Sequence, residues 1–263
     1  MIKLENITFK YDKIIIDGIN LNIQKSKVTF IIGANGSGKS TLANIISGLL
    51  YPVSGKLSID DITINKKTDN KLIRNKVGIV FQNPSNQIIF SKVYDDIKFT
   101  LENMKIEKTL IPEIIKDSLK KVNMENFMNS NPYELSGGEQ QRIAIASQLS
   151  LNPDYLIFDE ATSMIDINGK QAIYKLINSL KKKMGIIFIT NNMDELIYAD
   201  EIVIIDNNKT YKYEINDILN DNTILTKHNL QIPFIFKLAT TLKINNIDDL
   251  NEKSILERIK KNG

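Results

Sequence analysis

The sequence predicts an α/β fold built on a largely parallel sheet, and two features of the chain carry this prediction. Several short runs are almost entirely apolar, as in strands buried on both faces, and helical segments separate them. The apolar runs are residues 28–32, 77–81, 155–158, 186–189 and 202–205. Apolar strands that alternate with helices are typical of this fold class.

Elsewhere the pattern changes to alternation. Residues 2–9 and 57–64 alternate apolar and polar side chains, and residues 21–24 read as another short strand. Strands with one apolar face are typical of antiparallel sheets. The sequence therefore predicts a smaller antiparallel β subdomain beside the parallel core.

Helices are predicted at residues 40–50, 114–122, 139–149 and 170–180. The stretch from about 84 to 150 has few strand signals, so it reads as a helical subdomain inserted into the sheet domain. We place the main domain at residues 1–225. A small helical C-terminal extension, interrupted by Pro233, follows at 226–263.

Composition excludes several functional classes. The chain has 263 residues, 42% hydrophobic and 25% charged, which is ordinary for a soluble globular protein. It has no cysteine, and therefore no disulfide or thiolate zinc site. A net charge of +3 does not indicate nucleic acid binding. No apolar run approaches the roughly 20 residues of a membrane-spanning helix, so any membrane role is expected to come through a partner.

Residues 33–40 match the phosphate-binding pattern G-x-x-x-x-G-K-[ST], with a buried strand before them and a helix after them. Glycines let the backbone wrap around phosphate, and the exposed amides and helix N-terminus attract the anion. Lys39 is expected between the β- and γ-phosphates of ATP, and Ser40 on Mg²⁺. The full set of nucleotide-binding candidates is Gly33, Asn35, Gly36, Ser37, Gly38, Lys39, Ser40 and Thr41. The alternative is a plain glycine turn between strand and helix.

Two acids, Asp159 and Glu160, end the apolar run at 155–158. Carboxylates beside a buried strand are costly unless a metal or hydrogen bonds compensate. Asp159 suits a second-sphere or water-mediated Mg²⁺ ligand. Glu160 points the other way and is the candidate general base for the attacking water. The alternative is the ordinary start of a loop.

A further motif, Leu-Ser-Gly-Gly-Glu-Gln at residues 135–140, precedes a predicted helix. Ser136 is a natural N-cap, and Gly137, Gly138 and Glu139 follow it with backbone amides that an anion can reach. The structural interpretation is a capped helix start, and it is compatible with an anion-binding role as well. The string resembles the LSGGQ signature of ATP-binding cassette (ABC) proteins. That resemblance implies a P-loop NTPase cassette with a RecA-like core. It also implies a head-to-tail dimer in which each signature closes over the partner's nucleotide.

Other positions match motifs of the same family. Tyr11 resembles the aromatic residue that stacks on adenine, with ordinary strand packing as the alternative. Gln82 resembles the Q-loop glutamine, which touches Mg²⁺ or the attacking water and links to the membrane partner. A surface polar residue is the alternative there. Residues 163–166, ending at Asp166, resemble the D-loop that crosses to the opposite site.

Two stretches resemble the ATPases of energy-coupling factor (ECF) transporters. They are the Q-loop region, at residues 80–87, 95–96 and 101–103, and the tail at 228–234, which resembles the segment joining the two ATPases. The resemblance implies a second ATPase, giving a heterodimer or, as the alternative, a homodimer. It also implies a transmembrane coupling protein and a substrate-binding membrane protein. The cargo would be a vitamin or a transition-metal ion, and the chain would lie on the cytoplasmic face of the cell membrane.

The chain departs from the family at residue 191. The family usually has a switch histidine that contacts the γ-phosphate, whereas this chain has Asn191. An amide donates a hydrogen bond but carries no positive charge. The only histidine, His228, lies in the tail. We therefore expect the site that contains Lys39 and Glu160 to hydrolyse ATP slowly.

Three alternatives stay open at this stage. The first is an ATPase of another ABC importer or exporter, which shares every phosphate motif. The second is an ABC protein acting on ribosomes or DNA, although such proteins usually carry two cassettes or a long coiled coil. The third is a regulatory subunit without hydrolysis, against which the intact Lys39, Asp159, Glu160 and Ser136 argue.

Overall fold

The computed structural model describes residues 1–65, 68, 70–163, 165–250 and 255. The strands are β1 (Ile2–Lys10), β2 (Ile14–Ile23), β3 (Val28–Gly33), β4 (Ser54–Ile59), β5 (Ile62–Ile64), β6 (Val77–Val80), β7 (Tyr155–Asp159), β8 (Gly185–Ile189), β9 (Glu201–Asp206) and β10 (Lys209–Glu214). The helices are α1 (Lys39–Ile46), α2 (Asn70–Lys76), α3 (Val93–Asn103), α4 (Ile111–Lys121), α5 (Gly137–Ser150), α6 (Ile167–Leu180), α7 (Ile215–Asn220), α8 (Thr223–Lys227) and α9 (Phe234–Thr241).

The strands form two sheets. A six-stranded sheet has the order β10-β9-β3-β8-β7-β6, and a four-stranded sheet has the order β2-β1-β4-β5. All pairs in the larger sheet are parallel except β9 with β10, and those in the smaller sheet are antiparallel. The predicted α/β fold with its separate antiparallel subdomain is confirmed.

The six-stranded sheet separates two apolar cores because successive side chains of a strand point to opposite faces. On one face, Phe30, Phe158 and Phe188 pack against the helices of the inserted region. On the other face, residues such as Ile31 and Ile187 pack against α1 and the smaller sheet. This arrangement fixes β3, β7 and β8 from both sides and so gives the loops at their ends a rigid base.

Phe188 is expected to be the most sensitive ring of this core. Its centroid lies 4.9 Å from Phe30 and 4.5 Å from Phe158, with the rings stacked. Phe188→Ala should lower the free energy of unfolding by about 3–5 kcal/mol, since it removes a fully buried ring and leaves a cavity. Urea denaturation of the purified chain measures this. Phe234→Ala, at a ring that is 74% exposed, is the control and should change stability by less than about 0.5 kcal/mol. A loss at Phe188 no larger than the control's would contradict the expectation.

Some predicted boundaries were wrong. The strand predicted at 21–24 is only the end of β2, which begins at Ile14. The buried residues of β2 do not alternate regularly along the strand, because its register with β1 shifts and Gly18 has a φ of +68°. The helix predicted at 40–50 ends at Ile46, and the turn that follows contains Gly48 with a φ of +74°. Strand β10 was not predicted, because its sequence is polar and it is not fully buried at any position.

The region between residues 84 and 150 contains α3, α4 and α5, which pack on one another. This agrees with the predicted helical insertion. Helix α8 runs across the boundary placed at 225, and the division into two domains stays a prediction. Residues 251–254 and 256–263 of the proposed extension lie outside the described residues. Within the described part of the chain, no helix has the length and apolar character to cross a membrane.

Candidate functional site

The carboxyl ends of three adjacent strands bring the predicted groups together. Strands β3, β8 and β7 are neighbours in the sheet. The phosphate-loop candidates follow β3, Asn191 follows β8, and Glu160 follows Asp159 at the end of β7. The backbone N–H of Glu160 donates to the carbonyl of Ile189 at 2.9 Å, which ties two of these loops directly. Loops at the carboxyl edge of a parallel sheet commonly form the ligand site of such folds.

The loop after β3 has the shape of an anion cradle. Gly36 and Gly38 have φ values of +79° and +92°, which favour glycine. A Cβ on Gly36 would meet nothing within 4 Å and would project into open space. Ser37 Oγ is buried and lacks a hydrogen-bond partner among the described residues. Gly38 precedes α1 without a side-chain cap, so the first amides of the helix remain available to an anion. These features fit a bound phosphate group.

Lys39 is turned back onto the loop. Its ammonium donates to the carbonyls of Gly33 at 2.9 Å and Ala34 at 3.0 Å. Burial lowers the pKa of Lys39, while the carboxylates of Glu160 and Asp159 act in the opposite direction. A buried ammonium that donates to neutral carbonyls is well placed to bind a more strongly charged acceptor such as phosphate.

Ser40 and Asp159 supply the oxygen donors that a magnesium site needs. Ser40 Oγ donates to Asp159 Oδ1 at 3.0 Å. Burial raises the pKa of Asp159, and the hydrogen bond from Ser40 acts against that rise. A hydroxyl and a carboxylate beside a phosphate cradle suit Mg²⁺, which is usually held by one or two protein oxygens together with phosphates and water.

Gln82 is exposed in the bend after β6. Within the described residues, no hydrogen bond joins its side chain to Ser40 or Asp159, the two predicted metal ligands. A hydrogen bond therefore joins two of the three predicted metal ligands, and none among the described residues joins the third to them.

Two glutamines that were not singled out from the sequence hold the loop around Gln82. Gln87 accepts from the N–H of Phe81 at 2.9 Å and donates to the carbonyl of Ile79 at 3.0 Å. Gln141 of α5 donates to the carbonyl of Phe81 at 3.0 Å. Gln141 is fully buried. A buried glutamine on a helix is a signal that could have found this anchor, but its partner is not readable from the sequence.

Glu160 and Asn191 are in direct contact. Asn191 Nδ2 donates to Glu160 Oε1 at 2.6 Å. Glu160 has a φ of +52°, a strained conformation for a residue with a Cβ. Ser163 Oγ donates to the carbonyl of Glu160 at 2.9 Å and supports that turn. A cavity of about 390 Å³ opens beside this pair.

The predicted helix start at Ser136 is confirmed. Ser136 Oγ accepts from the N–H of Glu139 at 3.4 Å, and Glu139 Oε2 accepts from the N–H of Ser136 at 2.9 Å, which forms a capping box. Hydrogen bonds from Ser136 lower the pKa of Glu139. Ser136 and Gly137 are exposed, and Gly138 is half-buried. The described structure has no hydrogen bond between these residues and the phosphate loop of the same chain.

Three further residues that were considered from the sequence make contacts of their own. Tyr11 is 59% exposed, and its ring meets Phe9 edge-on at 4.9 Å, so it is not a core residue of β1. Asp166 caps α6 by accepting from the N–H of Gly169 at 2.9 Å. His228 is not part of any of the three converging loops, and its Nδ1 lies 2.8 Å from Asp206 Oδ2.

Sequence reasoning missed one buried acid close to the site. Glu195 is 4% exposed and accepts hydrogen bonds from Thr162 and Thr190, and Lys170 pairs with it. The sequence shows only an acid in a short polar turn. Two of its partners, Thr162 and Lys170, lie 33 and 25 residues away along the chain, so the sequence does not show that this acid is buried and paired.

The chain is similar to known ABC proteins along nearly its whole length. The family model described as "ABC transporter" matches residues 16–163. The energy-coupling factor transporter ATP-binding protein EcfA1 of Mesomycoplasma hyopneumoniae strain 7448 is 41% identical, over 98% of this chain and 97% of that relative. The structure of cbiO1 from Clostridium perfringens, part of the ABC transporter complex cbiONQ, is 32% identical with a TM-score of 0.76, over 91% of this chain and 98% of that one. The structure of a dimeric bacterial ABC transporter cassette is 30% identical with a TM-score of 0.74, over 82% of this chain and 99% of that one.

Proposed function

The chain belongs to the ABC transporter family and, within it, to the ATP-binding proteins of energy-coupling factor transporters, and on that basis we propose that it drives import of a vitamin or a transition-metal ion through membrane partners. One observation carries the chemical part of this proposal. Lys39, Ser40, Asp159 and the Glu160–Asn191 pair converge at the ends of three adjacent strands. The cargo would be selected by a different polypeptide.

We propose these roles for the chain's own residues in hydrolysis. Lys39 exchanges its two carbonyl partners for β- and γ-phosphate oxygens. Ser40, Asp159 and Gln82 are the residues that would hold Mg²⁺, directly or through water. Bound there, Mg²⁺ neutralises charge that develops on the phosphate oxygens. Glu160 accepts a proton from the attacking water, or orients it, while the Asn191 amide holds the carboxylate.

The remaining phosphate-loop residues and Tyr11 are proposed to hold the rest of the nucleotide. Gly36 and Gly38 allow the backbone to approach the phosphates, and Thr41 follows at the start of α1. Asn35 lies in the same loop. The exposed ring of Tyr11 offers a face for adenine, because aromatic rings stack on bases at low conformational cost.

We propose that a second ATPase completes each site. The signature candidates Ser136–Glu139 lie at an exposed helix start and make no hydrogen bond to this chain's phosphate loop among the described residues. They are therefore available to another subunit's nucleotide, and Asp166 is proposed to contact the opposite site. The similar cassette of known structure is dimeric. We propose a heterodimer, with a homodimer as the alternative, and the tail at 226–263 as its joining segment.

A groove beside the Gln82 loop is the proposed docking site of the transmembrane coupling protein. The groove has a volume of about 260 Å³ and lies between the end of α1, β6 and α3. Three apolar side chains at this groove are substantially exposed, namely Leu49, Ile89 and Phe99. A short amphipathic helix is the occupant that such a groove fits. This contact would hold the chain at the cytoplasmic face of the membrane, where movement of Gln82 would be coupled to the partner.

The assembly is tested by tagging this chain in its source cell, extracting membranes in mild detergent and identifying the co-purifying proteins by mass spectrometry. We expect a second ABC ATPase, a coupling membrane protein and a small substrate-binding membrane protein. Recovery of ribosomes, nucleic acid or an unrelated permease would overturn the transporter proposal and leave the ATPase assignment in place.

We propose that Asn191 makes the site on this chain slow. Asn191 gives Glu160 one neutral hydrogen bond at 2.6 Å, whereas a histidine at this position can also carry positive charge near the γ-phosphate. Asn191→His should raise the ATPase rate about tenfold, which corresponds to about 1.4 kcal/mol of barrier. The measurement uses the co-purified complex with the partner ATPase's own base replaced, so that only this site turns over.

Asn126→His, at an exposed position in the helical region, is the matched control and should leave the rate unchanged. If Asn191→His gives the same rate as Asn126→His, Asn191 is not what limits this site.

A further inference from the structure

We propose that Glu195 is a positioning residue for hydrolysis, because its buried carboxylate joins the loop that carries Glu160 to the loop that carries Asn191. The inference rests on the proposed role of Glu160 as the base. In this proposal Glu195 fixes the relative position of Glu160 and Asn191, and it does not itself touch the nucleotide.

The carboxylate of Glu195 bridges the two loops through threonine hydroxyls. Oε1 accepts from Thr162 Oγ1 at 2.9 Å, and Oε2 accepts from Thr190 Oγ1 at 2.7 Å. Thr162 is two residues after Glu160, and Thr190 directly precedes Asn191. Each oxygen of one buried group therefore holds a different loop, and each threonine lies within two residues of a member of the pair.

The hydroxyl of Thr190 has a second partner that shapes the Asn191 turn. Thr190 Oγ1 accepts from the N–H of Asn192 at 2.9 Å. A hydroxyl has one hydrogen, so donation to Glu195 directs its lone pairs toward that amide. Through this hydroxyl, Glu195 constrains the residue before Asn191, Thr190, and the backbone N–H of the residue after it, Asn192.

Lys170 supplies the charge that allows a carboxylate to be buried here. Its ammonium lies 3.2 Å from Glu195 Oε1, and the Lys170 side chain is 25% exposed whereas that of Glu195 is 5% exposed. A buried carboxylate is costly unless it is paired and hydrogen-bonded. Lys170 lies in the first turns of α6, whose N-cap is Asp166. The same carboxylate thus also reaches the helix that follows the proposed D-loop.

An anchor that served only to stabilise the fold would not need to join these particular loops. The cavity of about 390 Å³ beside Glu160 and Asn191 is also lined by Thr190, Lys170 and Glu195. The network therefore forms one wall of the space next to the proposed base. A shift of either loop changes the 2.6 Å contact between Asn191 and Glu160. Misplacement of a catalytic group by about 1 Å can cost on the order of a hundredfold in rate.

The test is the Glu195→Gln variant in the co-purified complex with the partner's base replaced. An amide of the same size cannot accept at its nitrogen, so one threonine loses its acceptor and Lys170 loses its counter-charge. We expect kcat to fall at least tenfold while KM for ATP stays within about twofold. The KM should hold because the phosphate loop is not part of the network. Glu125→Gln, at an exposed acid, is the matched control.

A second pair of variants keeps the proposal testable if Glu195→Gln folds poorly. Thr190→Val has nearly the same volume but no hydroxyl, and it should lower kcat at constant KM. Thr190→Ser restores the hydroxyl and should recover most of that loss. If Thr190→Val and Thr190→Ser have equal kcat values, the hydroxyl contact does not position the pair and the proposal is wrong.

Failure of this inference can be told apart from failure of the proposed role of Glu160. If Glu160→Gln leaves hydrolysis intact, the assignment of the base is wrong. If Glu160→Gln stops hydrolysis but Glu195→Gln lowers only the melting temperature, with kcat unchanged, Glu195 is a structural anchor and the inference is overturned.

Discussion

Replacing Glu160 by glutamine is expected to reduce ATP hydrolysis at this site by a factor of about 10² to 10⁴, the usual contribution of a positioned general base. Glutamine keeps the carbonyl oxygen that accepts from Asn191 Nδ2, so the local contact at 2.6 Å can persist. What is lost is the ability to accept a proton from water. ATP binding should be unchanged, since Lys39 and Ser40 are untouched.

The measurement compares phosphate release and nucleotide affinity in the complex with the partner's base replaced. Glu113→Gln, at an exposed acid in α4, serves as the control for the loss of one surface charge. Retention of more than half of the hydrolysis rate in Glu160→Gln would contradict the assignment of Glu160 as the base.

Replacing Lys39 by methionine is expected to weaken ATP binding by about 10- to 150-fold, which corresponds to about 1.5–3 kcal/mol for a hydrogen bond to a charged group. Methionine keeps the apolar stem, which is almost fully buried, and removes the ammonium that lies on the carbonyls of Gly33 and Ala34. Hydrolysis at ATP concentrations near the normal KM should fall with the loss of binding.

Equilibrium binding of a fluorescent ATP analogue checks this expectation, with the melting temperature recorded to confirm folding. Lys116→Met, at an exposed position of α4, is the control and should bind normally. An affinity for Lys39→Met within threefold of the unchanged protein would show that the ammonium is not a phosphate ligand.

The fold class, and the strand, loop and helix around the candidate phosphate loop, could be predicted because local sequence patterns indicate them. A strand of mostly apolar residues, a glycine-rich loop and a helix are contiguous at residues 28–46. The order of the strands could not be predicted in the same way. It depends on pairing between segments far apart in sequence, and it alone makes Asn191 a neighbour of Glu160.

Glu195 shows why the buried contacts around the site could not be predicted from the sequence. Its two threonine partners lie 33 and 5 residues away, and neither spacing is a helical or strand repeat. An acid is usually expected at the surface. Only the folded chain shows that this one is buried and paired with Lys170.

The polar strand β10 has a consequence for how the chain behaves at high concentration. It is an edge of the larger sheet, and a bare edge invites pairing with strands of other molecules. Its lysines and glutamate discourage such pairing, and Lys212 also reaches across to the carbonyl of Asn22 at 3.1 Å. The polar side chains that kept β10 from being predicted therefore disfavour edge-to-edge pairing at this end of the larger sheet.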